Sequence, residues 1–516
     1  MGEMVKLQAN ALDKIRDVNP RLVSYNVEMT EVTGGTFWKA YTDAQIDGTE
    51  QVPPPDFSKG GNPLAAMHQW YDPIDTTNPR LRKLAKELGS CWVRVSGTWA
   101  TKTYYDFADE YPAGTAPEGY QNVLKKEQWI NLLDFVKAVD GKLKISVANC
   151  DGLHTHDEPW NPSQAKLIFD LSREYGVPVE AVEFVNEPNM LQNTGFPKDY
   201  TAADFRRDQD IFHKWVRENY PECLIVGPSD TDPMAMQVDP DGNPYNKDAN
   251  GDGGSAGIAE ALPYCSTADL LDGCTEKLDV FSYHYYNGVS ERMAAMMPSA
   301  FTPAEGAMSE EYLGMAGFCA SCFALYRDKY CPGGEMWVTE SGDAGAGGHT
   351  WASTYLEVPR TLNEIGHFAT VTNGVIFHNT LASSDYGWLK HSTFDPRPSY
   401  FAILLWKKLM GDTVYASGEA IRPGAHVFAH SRKDGKEGVA YLVINSSWDE
   451  TTTVELPKAA EVYALTGNGK MRSRTMLLNG KELALGENDE IPVMEGVATE
   501  AGTIEVAPGG CTFIVM

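Results

Sequence analysis

From residue 91 to residue 410 the chain repeats one pattern: a short run of aliphatic and aromatic residues, then a longer stretch with apolar positions three or four apart. Short apolar runs predict buried strands, and the longer period predicts amphipathic helices. An alternating run at 22–28 supplies a first strand, and others follow at 91–95, 143–148, 182–186, 223–227, 278–284, 336–340 and 374–379. Helical stretches cover 78–88, 121–139, 162–175, 202–219, 309–330, 352–365 and 400–410. In the second of these, Leu132, Phe135, Val136 and Val139 hold the i, i+3, i+4, i+7 stripe, while Gly89 and Gly176 stop two neighbours. Residues 31–75 read as a polar loop laid over one face.

Strands alternating with helices predict parallel strands joined by crossovers. Eight such units predict an α/β fold, a closed (β/α)₈ TIM barrel of roughly 250 residues or more. The alternation also allows an open doubly wound sheet, but no Gly-x-Gly-x-x-Gly follows the first strand. After Gly411 the helices stop, and short strands at 426–430, 439–445, 452–456, 462–465 and 503–506 predict an all-β sandwich. Asn479-Gly480 and Pro508-Gly509-Gly510 are its turns. The expected division is a segment at 1–20 that joins the sandwich, a catalytic barrel at 21–411 and a β-sandwich at 412–516.

Composition narrows the partners. A chain of 516 residues exceeds one ordinary core, which fits a large and a small domain. The net charge of −28 excludes nucleic acid as a natural partner and repels dense polyanions. No run approaches about 18 apolar residues, so no membrane span is expected. Met1-Gly-Glu-Met-Val-Lys has no apolar leader core. The compartment is then cytoplasmic, or secreted or periplasmic if a leader has been removed. Nine cysteines are irregularly spaced; Cys265 and Cys274 could close a small loop, and Cys319-x-x-Cys322 lies in an apolar helix without a second pair for zinc. Oligomeric state is not legible.

The candidate chemistry sits at two predicted strand ends. Val182-Glu-Phe-Val-Asn186-Glu187-Pro188 is a strand running into a turn that Pro188 enforces. Met336-Trp-Val-Thr-Glu340 is the second. In such a barrel the loops after the strands form the active face, so both carboxylates meet at one rim. Two carboxyl groups about 5–5.5 Å apart suit retaining glycoside hydrolysis, one attacking the anomeric carbon and the other protonating the leaving oxygen. Glu187 is expected as acid/base and Glu340 as nucleophile. No cofactor is required. Asp239–Asn243 and Asp248–Gly253 match half a calcium loop, so a structural Ca²⁺ in 239–253 remains a candidate beside a plain acidic loop. His154, His156 and Asp157 read as lining of the cleft rather than as a metal site.

An ordered set of stretches resembles glycoside hydrolase family 79, the heparanase and β-glucuronidase family, within the clan of retaining (β/α)₈ glycosidases. They are Phe184–Asn189, Tyr283–Gly288, Val338–Ser341, Asn379 through Tyr386 to Phe394–Tyr400, and Val93–Thr98 with Gly97 and Thr98. The resemblance spans about residues 22–410. It implies an exo-acting β-glucuronidase-like enzyme. Asn186 would bond the sugar 2-OH, Tyr285 would orient the nucleophile, and Tyr386 would help hold a uronate carboxylate, assisted by amides of 345–348. Glu28, Asp232 and Asn379 would bind sugar hydroxyls, with Gly97 and Thr98 at the substrate. Two departures bear on the uronate: Gly345 or Ala346 stands at a family tyrosine, and Asp343 adds a negative charge nearby. A retaining enzyme for a neutral sugar, and a carbohydrate-binding protein on a dead barrel, stay open alternatives.

Overall fold

The computed structural model describes residues 4–9, 12–55, 63–112, 114–191, 195–243 and 265–516. Eight parallel strands close into a barrel: β1 (Val23–Glu28), β2 (Cys91–Ser96), β3 (Gly141–Ile145), β4 (Val179–Glu183), β5 (Leu224–Asp230), β6 (Val280–Tyr286), β7 (Glu335–Gly342) and β8 (Ile376–His378). Each pairs with its neighbour in chain order, and β8 closes on β1 through Ile376 opposite Val23. Helices at Pro79–Glu87, Lys126–Ala138, Ser163–Glu174, Ala202–Asn219, Glu310–Tyr330, Glu357–Val371 and Pro398–Leu409 surround it. The period-two alternation of each strand divides its residues between interior and helix layer. Inside, Trp92, Ala181, Trp337 and Phe377 form an apolar floor. Above it lies a charged layer, because Arg94, Lys144 and Glu183 point inward and are fully buried.

Beyond the last barrel helix, Met410–Tyr415 opens a nine-stranded sheet that continues through His426–Arg432, Val439–Ile444 and Cys511–Val515. Lys14–Asp17 pairs antiparallel with its first strand. A three-stranded sheet joins Val5–Lys6, Thr452–Leu456 and Gly502–Val506. Val5, Val427, Tyr441, Val454, Val506 and Ile514 pack between the two sheets.

Residues 31–75, expected as loop, carry an antiparallel hairpin of Gly35–Trp38 and His68–Tyr71. Its strands are only four residues each, too short for the alternation to stand out from a Gly- and Pro-containing stretch. All nine cysteines are free, so Cys265 and Cys274 close no loop. Cys319 and Cys322 are buried in the apolar helix. Of the calcium candidate, only 239–243 is described; there Asp239 accepts from the Asp241 and Asn243 backbone, and the remainder lies outside the described residues. Among the described residues no helix is long and apolar enough to cross a membrane.

Candidate active site

Glu187 and Glu340 reach the same point by different backbone devices. β4 ends at Glu183, and Glu187 lies on the turn beyond it with φ +46°. That left-handed conformation is uncommon for a residue with a Cβ and is held by its surroundings. Here the Glu187 N–H donates to the Ser229 carbonyl at 3.2 Å, and its carbonyl accepts from Met190 at 3.1 Å. On β7 the register slips by one residue, so Val338 pairs with Tyr283 but Glu340 with His284. An extra residue of this kind re-aims a strand's side chains. Thr339 bonds Ser229 inside the barrel, and Glu340 next to it also turns inward, onto Arg94. Strict alternation would have sent Glu340 to the helix layer with Val338.

The two carboxyl groups and one imidazole then cluster. One oxygen of Glu187, one of Glu340 and a ring nitrogen of His284 all lie within 4.8 Å of one another. His284 Nδ1 is 3.0 Å from Glu187 and 3.6 Å from Glu340. Donors of these types could hold a metal ion. However, the Arg94 guanidinium already donates to Glu340 at 2.9 Å and sits 3.4 Å from His284 Nε2, a fixed positive charge at the cluster.

The environments of the pair differ in sign. Burial pushes Glu187 above the usual carboxylate range; its bond with His284 opposes this, and the nearby Glu340 adds to it. Burial would raise Glu340 as well, but His284 and Arg94 outweigh it and hold the carboxyl below its usual range. The Tyr286 hydroxyl contributes, donating to Glu340 at 2.9 Å. Two carboxyl groups pushed apart in this way can divide into a protonated acid and an ionised nucleophile.

Arg94 is fixed from below. It donates to Glu183 at 2.6 Å and to the Asn186 side-chain oxygen at 2.7 Å, and Glu183 also pairs with Lys144. Burial lowers Lys144 to about 7, against the pull of Glu183. Neither Arg94 nor His284 stood among the sequence candidates. A charged residue in the middle of the apolar run Cys-Trp-Val-Arg-Val was the available signal for Arg94.

The tyrosine that donates to Glu340 is Tyr286, not the expected Tyr285. On β6, Ser282, His284 and Tyr286 face the interior, while Tyr283 stacks on Phe323 of the helix layer at 4.1 Å. Tyr285 shares that outward face, and its buried hydroxyl has no hydrogen-bond partner among the described residues. In a run of Tyr-His-Tyr-Tyr, a one-residue choice of register exchanges the two faces.

Asn379 donates to the hydroxyls of Tyr286 at 3.0 Å and Tyr386 at 3.1 Å, and its oxygen accepts from Asn26 at 3.2 Å. Glu28, at the end of β1, is pushed well above the usual range by burial and then by Glu340. Gly97 serves Glu28 through space: its φ is +92°, and a Cβ there would overlap the Glu28 carboxylate. Thr98 is half-buried on the same loop. Asp232 is buried against Thr267, accepting from its N–H at 2.7 Å and its hydroxyl at 3.0 Å. His154 Nε2 bonds Asn149, and His156 faces Asp157 at 3.6 Å.

Two expectations about the uronate change. Asp343 turns into the protein, accepting the His349 N–H at 2.7 Å, and burial raises it to about 7, which weakens the negative charge it was expected to add. In the 345–348 loop, the Gly345 and Gly348 amides already donate to Gly288 and Ala344.

The chain is similar to proteins that cleave glycosidic bonds. No family model matches it. It is 30% identical over 478 residues to a baicalin-β-D-glucuronidase of Scutellaria baicalensis, covering 86% of this chain and 83% of that protein. It is 23% identical over 498 residues to heparanase-like protein 1 of Arabidopsis thaliana, covering 86% and 85%. Among solved structures, a 4-O-α-L-rhamnosyl-β-D-glucuronidase of Fusarium oxysporum superposes with a TM-score of 0.61 at 11% identity over 99% of this chain and all of that one, a likeness of fold. With the Scutellaria relative 30% identical along most of both chains, this chain belongs to glycoside hydrolase family 79 and is a retaining glycosidase built on a (β/α)₈ barrel.

Proposed function

We propose that the enzyme removes a terminal β-linked glucuronate by double displacement, with Glu187 as acid/base and Glu340 as nucleophile. The observation that carries this reading is the pair itself: a half-buried and a buried carboxyl group, with oxygens inside 4.8 Å, whose surroundings push one up and hold the other down. That spacing falls on the close, retaining side of the two glycosidase geometries, in which one carboxylate attacks the anomeric carbon.

In the first step Glu340 attacks while Glu187 protonates the leaving oxygen. Glu187, then ionised, activates water to hydrolyse the glycosyl-enzyme. Arg94 and Tyr286 hold Glu340 ionised and aimed. The Asn186 oxygen is committed to Arg94, which turns its NH₂ to the sugar 2-OH, a bond that strengthens as the transition state forms. Glu28, kept neutral by its surroundings, bonds ring hydroxyls without repelling a carboxylate. Tyr386, positioned by Asn379, takes the uronate.

Glu340→Gln and Glu187→Gln are expected to abolish turnover of an aryl β-glucuronide. Azide restores activity to Glu340→Ala and leaves wild type unchanged. Near-normal turnover by either Gln variant overturns the assignment.

A neutral glycone is the second reading. It is favoured by the commitment of nearby donors: Arg94 to Glu183, Glu340 and Asn186, and two amides of the 345–348 loop to carbonyls. A panel of aryl β-glycosides with uronate and neutral sugars separates the two.

A further inference from the structure

The hairpin that the sequence pattern concealed carries aromatic surface at the barrel mouth. Trp38 and His68 are cross-strand partners with rings 4.4 Å apart. His68 meets Trp99 edge-on at 6.3 Å, making a continuous wall of three rings, all half-buried. Trp70 follows two residues after His68, on the same face by strand alternation, and is 61% exposed, the most exposed large aromatic among the described residues. Large apolar rings held partly in water at a cleft are a mark of binding surface.

Both ends of the wall touch the catalytic loops. At one end Trp38 packs against Gly347, in the loop after Glu340; a Cβ on Gly347 would stand 2.6 Å from the tryptophan. At the other, Trp99 follows two residues after Gly97, which lies under Glu28. Lys102 reaches over the Trp99 ring at 5.6 Å and its stem lies against Gly195, in the loop after Glu187. The wall therefore crosses from the loop after Glu340 to the loop after Glu187. A leaving group protonated by Glu187 departs on the Glu187 side.

The geometry points to Trp38, His68 and Trp99 as the surface on which the leaving group stacks, a flat ring with a carbon-rich face. This inference rests on the glutamate pair being the cleavage site. Such a face occurs on an aromatic aglycone and on a pyranose alike, and the substrates below distinguish them.

The experiment compares kcat/KM for phenyl and methyl β-glucuronides, and for a β-glucuronyl disaccharide ending in a neutral pyranose, in wild type, Trp38→Ala, Trp99→Ala and Trp99→Phe. Loss of a stacked ring lowers the phenyl-to-methyl ratio about tenfold, mainly through KM, and Trp99→Phe recovers most of it. A fall confined to the disaccharide instead identifies the pyranose as occupant. Trp70→Ala, at an exposed site, extends the test to two-ring aglycones if the other variants fail to fold. A phenyl-to-methyl ratio and a disaccharide-to-methyl ratio that both stay at the wild-type value overturn the inference. If wild type leaves every glucuronide intact, the glycone reading fails. The same ratios on a neutral glycone then judge the wall.

Discussion

Tyr285→Phe and Tyr286→Phe are neighbouring substitutions of one chemistry with opposite expected outcomes. The Tyr286 hydroxyl donates to Glu340 at 2.9 Å and accepts from Asn379 at 3.0 Å. A hydrogen bond to a charged acceptor contributes about 1.5–3 kcal/mol. Where the bond is needed to keep the nucleophile ionised and aimed, that is a loss of about 10- to 150-fold in kcat/KM. The pH profile moves too. In the proposed mechanism Glu340 acts as the carboxylate, and Tyr286 is one of the groups holding its pKa down. Without that donor the pKa rises, so activity fails at a higher pH as the medium is acidified. The Tyr285 hydroxyl is buried without a hydrogen-bond partner among the described residues, and its removal lifts a desolvation penalty rather than a bond. Tyr285→Phe should therefore keep wild-type kinetics and melt at the same or a slightly higher temperature. Steady-state kinetics on an aryl glycoside across pH, with thermal melts, decides it. Equal losses in the two variants, or a greater loss in Tyr285→Phe, refute the assignment of faces on β6.

The wild-type profile should be bell-shaped: activity is lost as pH falls through the lowered Glu340 value and as pH rises through the raised Glu187 value. On a substrate whose leaving group needs no protonation the alkaline limb of the first step should fade, and a limb that persists there speaks against Glu187 as the acid. Gly97→Ala combines a backbone strain of about 1–2 kcal/mol with displacement of Glu28, so both melting temperature and kcat/KM should fall; a variant with normal kinetics would show that Glu28 does not bear on the sugar. Glu183→Gln removes the shared counter-charge of Arg94 and Lys144 and should cost about 3–5 kcal/mol in denaturant unfolding near neutral pH. Arg94 and Lys144 outweigh the burial that would raise Glu183 and hold it well below the usual range. Its stabilisation is thus present above that range and drains as pH falls through the lowered value. The variant should lose this part of its acid sensitivity, and an unchanged acid unfolding curve would contradict the network.

The order of strands and helices was legible because each barrel strand is a dense apolar run and most of the helices carry an apolar stripe. Local sequence suffices where the pattern is local, as in the run Cys91–Ser96 or the striped helix Ala202–Asn219. It also placed Glu187 beside a proline that stops the strand, and Glu340 near the end of another. The inward turn of Glu340 was not local. It depends on a register slip against β6, a relation between strands that no single run encodes. The same holds for the choice between Tyr285 and Tyr286, and for Asp343, whose charge looked close to the sugar until the fold turned it toward His349. Arg94 shows the physical reason most plainly. In sequence it is one cation in an apolar run, but closure of the barrel brings Glu183, Asn186, His284 and Glu340 around it. Residue type and period fixed which elements form and where acids stand along them, whereas the electrostatic character of each acid arose only when closure removed water and set its neighbours.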